Sequence, residues 1–162
     1  MYLYHGGLNV VDFPVIQDSQ RLLDFGKGFY TTRNQEQAEK WAMIKQNREN
    51  KKQQATITVY KLDDDILKSE SFNVKIFTKT DENWLDFIFS NRMGLYVHHF
   101  DIVVGAVAND TLYSTLLLYE TGVLSKIEII RRLKTHKLFD QISFHNQEVL
   151  KKLQFVESYA VK

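Results

Sequence analysis

Between Asp24 and Ala42 the chain reads DFGKGFYTTRNQEQAEKWA, and this run constrains the fold more than any other. Gly26 and Gly28 flank a single lysine ahead of Phe29, Tyr30, Thr31 and Thr32, residue types that favour extended backbone. The pattern predicts a tight turn feeding a strand within Phe25 to Thr32. Behind it, Thr32 or Asn34 can cap a helix. Ala38, Trp41, Ala42 and Ile44 then recur at spacings of three and four, which predicts one apolar helix face. That helix fades into the polar run from Lys45 to Gln54.

The rest of the chain alternates short strands with helices. Tyr2 to His5 reads as a strand stopped at Gly6 and Gly7, where the backbone can turn or approach a ligand closely. Asn9 to Leu23, which holds the only proline, Pro14, reads as an irregular connection with a turn of helix. Ala55 to Tyr60 predicts a strand, and Phe72 to Phe77 a weaker one after the acidic turn at Asp63 to Asp65. Asp81 to Met93 carries Trp84, Leu85, Ile88 and Phe89 at helical spacing. The apolar run DIVVGAV, Asp101 to Val107, predicts a central strand, ended by Asn109-Asp110, which can cap a helix over Leu112 to Tyr119. Ser125 and Glu128 stand at capping-box spacing ahead of another helix. Strand, helix and strand close the chain over Gln141 to Phe144, Gln147 to Leu153 and Phe155 to Val161. No repeat, low-complexity tract or linker interrupts the pattern, which predicts one α+β domain over residues 1–162.

A chain of 162 residues can bury a sizeable core without disulfide or metal staples. Twenty-one Lys and Arg against twenty Asp and Glu leave a net charge of +1, so no global field draws the chain to nucleic acid or an anionic membrane. The absence of cysteine excludes thiolate catalysis and zinc-thiolate sites and suits a reducing compartment. No apolar run is long enough to span a bilayer, and MYLYHGG lacks the regions of a signal peptide, so the expected location is the cytoplasm.

Few residues carry a chemical signal on their own. His5 precedes two glycines, whose exposed backbone can hold a flat polar ligand while the imidazole donates to a nearby hydroxyl; a hydrogen bond to a neighbouring turn explains the same residue. Tyr30 and Trp41, eleven residues apart, can sandwich a planar ring or serve as plain core. Gly26-Lys27-Gly28 matches neither a P-loop nor a dinucleotide fingerprint. Adjacent His98 and His99 diverge in a strand, so no metal is expected. Lys45, Arg48, Lys51 and Lys52 form a basic cluster that fits a phosphate or acidic partner, or simply a solvated helix end. Ser114, Ser125 and Ser143 lack the strained elbow of hydrolases.

Taken together, YHGG at Tyr4 to Gly7, GKGFYTT at Gly26 to Thr32, and Ala38 with Trp41 resemble the ADP-ribosyltransferase superfamily, in its diphtheria-toxin and poly(ADP-ribose)-polymerase-like branch. Nearly the whole chain, including DIVVGAVAND at Asp101 to Asp110 and DQISF at Asp140 to Phe144, is similar to a bacterial family of uncharacterised proteins grouped with these transferases. The resemblance implies a split β-sheet with flanking helices and a nicotinamide pocket. His5 would hydrogen-bond the nicotinamide ribose, Gly6 would hold the carboxamide through its backbone, and Tyr30 and Trp41 would stack the ring. Gly28 and Thr31 of the same motif would line the site. The implied substrate is NAD, with no metal.

The implied reaction cleaves the nicotinamide-ribose bond through an oxocarbenium-like transition state, which nearby negative charge stabilises. In that branch a glutamate on a late strand supplies the charge. Here the position holds Gln141, which can hydrogen-bond a ribose but cannot act as a base. Asp110 is the reserve carboxylate, with Asp140 and Glu148 as further candidates, and Gln141→Glu is expected to raise turnover. The activity so implied is mono-ADP-ribosyl transfer to a macromolecule, protein or nucleic acid, as in a bacterial toxin or phage-defence effector with an antitoxin protein as partner. Its rivals are a catalytically inactive NAD-binding, ADP-ribose-binding or partner-binding module, and an NAD glycohydrolase.

Overall fold

Alternation along the first strand dictates the layers of the fold. In a computed structural model describing residues 1–16, 23–49, 52–95, 97–106, 114–115, 117–119, 121–133 and 140–162, β1 runs Tyr2–Gly7 and so includes both glycines expected to stop it. Leu3 enters a core with Phe29 and Tyr60, while Tyr4 packs on the opposite face with Ala38, Ala42, Ile57 and Val59. Successive side chains thus serve two different cores.

The glycine turn behaves as its sequence demands. Gly26 takes φ +80°, a conformation that disfavours side chains, and the chain then enters β2, Phe29–Thr31. Helix α1 follows over Gln35–Glu49. Of the two caps expected, Asn34 is the one used, its Oδ1 accepting from Gln37 N at 2.9 Å, while Thr32 Oγ1 accepts from Asn34 N at 3.1 Å.

Two sheets result. β1, β3 (Thr56–Lys61) and β7 (Gln154–Ala160) form an antiparallel sheet in the order β1-β3-β7. The second sheet has the order β2-β6-β5-β4, with β4 at Val74–Ile76, β5 at Ile102–Ala106 and β6 at Asp140–Phe144. β5 is interior, as its unbroken apolar run predicts, and it pairs parallel with β4 and antiparallel with β6. Among the described residues one isolated bridge, Tyr4 to Thr32, joins the sheets.

The helices cover the apolar faces. α2, Glu82–Arg92, is capped by Asp81 and buries Trp84, Leu85 and Ile88 with Phe25 and Val103. α3, Lys126–Leu133, begins with the expected capping box: Ser125 N donates to Glu128 Oε2 at 2.8 Å, and Glu128 N to Ser125 Oγ at 3.4 Å. α4, Gln147–Leu150, is one short turn, and a 3-10 turn occupies Asp64–Lys68. The chain is therefore an α+β fold of two sheets with flanking helices. Residues 114–115 and 117–119 are helical, while the expected cap at Asn109-Asp110 lies outside the described residues. No described helix is long and apolar enough to cross a membrane.

The apolar face of α1 is narrower than its spacing suggests. Ala38 and Ala42 are buried together with Gln37, whereas Trp41 is 39% exposed and Ile44 38%. The cause is Gly6: a Cβ placed there would lie 2.2 Å from the Ala38 carbonyl oxygen, so helix and strand approach backbone to backbone. Larger residues are displaced to the flanks. Gly6→Ala should therefore destabilise the fold by on the order of 1–3 kcal/mol or more, read as a lower urea midpoint with an unchanged slope.

Candidate functional site

The two sheets part immediately beyond the Tyr4 bridge. Tyr4 N donates to Thr32 O at 2.8 Å and Thr32 N to Tyr4 O at 3.0 Å, so Tyr4 directs its polar backbone groups away from β3 and towards β2. In an antiparallel ladder that direction repeats every second residue. Gly6 therefore turns its N–H and C=O to the same edge, and continued pairing would bond them to Tyr30. Instead His5 Nδ1 takes the Tyr30 carbonyl oxygen at 2.8 Å. The split leaves a backbone donor and acceptor side by side on Gly6.

The Tyr30 carbonyl can only accept, so His5 carries its proton on Nδ1 and presents Nε2 as an acceptor. The sequence suggested a donating imidazole; the structure reverses that role. Its ring stacks on Phe29, with centroids 4.4 Å apart, on the sheet face opposite Gly6. Burial pushes its pKa down to about 4, against the Tyr30 hydrogen bond and aided by the charge of Lys45.

Tyr30, Thr32 and Gln141 share the face that α1 covers on the neighbouring sheet, because Tyr30 pairs with Ser143 and Thr32 bridges Tyr4. Tyr30 is fixed at its phenol, which donates to Gly26 O at 2.5 Å and accepts from Phe25 N at 3.1 Å. Burial raises its pKa well above the ordinary value, and Asp24 adds to the effect. Trp41 stands on a flank of α1, one turn before Lys45, whose charge reaches His5. The rings of Tyr30 and Trp41 make no contact with each other. Walls for a planar ring need about 7 Å between them, twice a carbon contact distance.

Two motif residues serve packing. The position of a Cβ on Gly28 lies 2.7 Å from both Phe144 O and His145 Nδ1, so this glycine admits the end of β6. Thr31 is buried and donates to Ile142 O at 3.0 Å, on the core side of the sheet. Asp110 lies outside the described residues, as does Lys51 of the basic cluster. Asp140 is exposed at the start of β6, and Glu148 pairs with Lys151 on α4 at 2.6 Å.

The carboxylate beside Gln141 is Asp24. Gln141, 8% exposed, donates from Nε2 to Asp24 Oδ2 at 3.3 Å. Arg92 holds Asp24 Oδ1 through Nη2 at 2.5 Å and Nε at 2.6 Å. Sequence reasoning gave Asp24 no role, and nothing local signals a contact across 117 residues.

The chain belongs to the DUF3990 family. That family is described as proteins of unknown function, and its model matches residues 1–155. No curated protein and no solved structure matches the chain. The description names no chemistry for DUF3990, so the site rests on its own geometry.

A second polar group lies under the glycine turn. Ser143 Oγ is 2.8 Å from His145 Nε2, while His145 Nδ1 donates to Lys27 O at 2.7 Å. His98, 4.5 Å from the His145 ring centre to centre, donates from Nε2 to Phe25 O at 2.6 Å. The spacing of two between Ser143 and His145 at the end of β6 could have signalled this pair, but sequence reasoning paired Ser143 with no histidine. It forms no hydrolytic site in this conformation, because Ser143 is completely buried. Among the described residues no group of three or more His, Cys, Asp or Glu is placed to hold a metal.

His145, like His5, is pushed down to about 4, chiefly by burial. Unfolding returns both towards the ordinary value of 6.5, so the unfolded chain binds more protons between these limits. Their contribution to stability is complete above pH 6.5 and is lost as pH falls towards 4, by about 1.4 kcal/mol per pH unit for each histidine. Urea midpoints measured from pH 8 to 4 should fall through this window, and His145→Gln should make the fall shallower.

Proposed function

We propose that this chain is a mono-ADP-ribosyltransferase that moves ADP-ribose from NAD to a macromolecular acceptor. The observation that carries the reading is the split edge at Gly6: one residue offers an N–H and a C=O side by side, the complement of a carboxamide, next to the His5 imidazole. Tyr30 shares the sheet face that α1 covers, and Trp41 stands on a flank of that helix. The residues present fit nicotinamide, a planar ring bearing a carboxamide.

In this reading Gly6 fixes the carboxamide, Tyr30 and Trp41 bound the ring, and His5 Nε2 accepts from a ribose hydroxyl. The bond between the ribose anomeric carbon and the nicotinamide nitrogen breaks, and nicotinamide leaves with the bonding pair. A nucleophile on the acceptor forms the new bond at that carbon and loses its proton to solvent. Gln141 binds a ribose hydroxyl and holds no charge, so it orients the substrate and removes no proton. Chain-building polymerisation is accordingly disfavoured, and a toxin or phage-defence effector that marks its target once, kept in check by an antitoxin, is the setting this chemistry suits.

A second reading is an NAD-binding module without turnover. It is favoured by the Arg92 contact, which offsets the charge of Asp24, the carboxylate bonded to Gln141. Incubation with NAD labelled in the adenosine half, alongside cell extract, separates the outcomes. The transferase predicts labelled macromolecule and free nicotinamide. A glycohydrolase gives free ADP-ribose alone, and a module gives calorimetric binding with neither product. His5→Ala and Trp41→Ala should each lower transfer at least tenfold while leaving the urea midpoint of Trp41→Ala near wild type, because that ring is exposed. Transfer unchanged in both variants would falsify the assigned pocket.

A further inference from the structure

We propose that Asp24, fixed by Arg92, orients the side-chain amide of Gln141 so that Oε1 faces the ligand as a pure hydrogen-bond acceptor for a hydroxyl group. The identity of that hydroxyl, one on the nicotinamide ribose of NAD, rests on the transferase reading.

An amide presents a donor on one side and an acceptor on the other, and its neighbours decide which faces out. A carboxylate paired with a guanidinium offers only acceptors, so Asp24 Oδ2 selects Nε2 of Gln141. Oε1 is left without a protein partner among the described residues. Among the described residues every buried side-chain nitrogen and oxygen is bonded, so Oε1 is reached by solvent. Gln141 thus offers what one oxygen of a carboxylate would offer, without its charge.

The same turn holds the neighbouring ring. Tyr30 accepts from Phe25 N and donates to Gly26 O, so Asp24 to Gly26 fixes the polar ends of both Tyr30 and Gln141. It also explains why an amide stands at this point of β6. A glutamate there would set two carboxylates face to face in a buried site, where both cannot remain ionised. Gln141→Glu alone is therefore expected to lower the stability of the fold, a cost separate from any gain in turnover.

Charge exchange between the two positions tests the contact. At pH 8, Gln141→Glu should melt several degrees below wild type, and the deficit should shrink as pH falls towards 4 and one carboxyl takes up a proton. The double variant Asp24→Asn/Gln141→Glu restores an amide-carboxylate pair beside Arg92 and should recover most of the loss. Wild-type stability of Gln141→Glu at pH 8, or a double variant no more stable than the single, would overturn the proposal. The acceptor role is read by calorimetry with NAD and with NAD lacking the 2-hydroxyl of the nicotinamide ribose. Wild type should bind the deoxy analogue about tenfold more weakly than NAD, and Gln141→Leu should bind both alike. Equal discrimination by both proteins overturns the role. Failure of wild type to bind NAD at all overturns the transferase reading, while the melting series still decides whether Asp24 sets the amide.

Discussion

The hydrogen bond from His5 to the Tyr30 carbonyl decides the shape of the molecule. By register, Tyr30 is the residue that Gly6 would meet if β1 and β2 zipped up beyond Tyr4 and Thr32. A side chain has taken the acceptor first, at 2.8 Å, and the strands diverge. The imidazole satisfies a carbonyl that sheet pairing would otherwise satisfy, so the opening is compensated on the β2 side. On the β1 side the groups of Gly6 remain available. The bond needs a proton on Nδ1, and because burial keeps the ring neutral, that proton is the one it carries and Nε2 is left to accept.

Around this opening the protein arranges groups whose protonation states reinforce one another. His5, His98 and His145 each meet a backbone carbonyl through one ring nitrogen, and all three have depressed pKa values, mainly through burial. Two of those carbonyls, from Phe25 and Lys27, belong to the glycine turn ahead of Tyr30. The turn is therefore gripped by histidines from one side and by the Tyr30 phenol from within. Asp24 adds a charged anchor at its start. A segment whose glycine at φ +80° would otherwise leave it loose is instead held through Asp24, Phe25, Gly26 and Lys27.

Local patterns made much of the fold legible and left the site half-read. Apolar runs, the Ser125–Glu128 box and the caps of α1 and α2 act over three or four residues, so the sequence displays them directly. Trp41 was misread as part of a buried face because periodicity counts apolar residues without knowing what they meet. The partner here is Gly6, and only alanines fit against a bare backbone. The resemblance pointed to Gly6, His5, Tyr30 and Gln141 as a group, but that His5 presents an accepting nitrogen required seeing which carbonyl it meets. Asp24 and Arg92 were silent because their contacts join a loop, a helix and a strand remote in sequence. Ser143 and His145 stand two residues apart, a pairing that sequence reasoning did not make, and burial of Ser143 keeps the pair from a substrate.

An open strand edge is ordinarily a hazard, since its unpaired groups will bond another chain. Here the edge at Gly6 is short, because Tyr4 is bridged two residues before and the strand ends at Gly7. It is also flanked, because α1 packs on Gly6 closely enough to exclude a Cβ. A second strand has no length along which to add, whereas a ligand with one donor and one acceptor finds both. The features that make the edge safe are therefore the ones that would make it selective in the transferase we propose: a single glycine, one imidazole in place of a strand partner, and a helix close above.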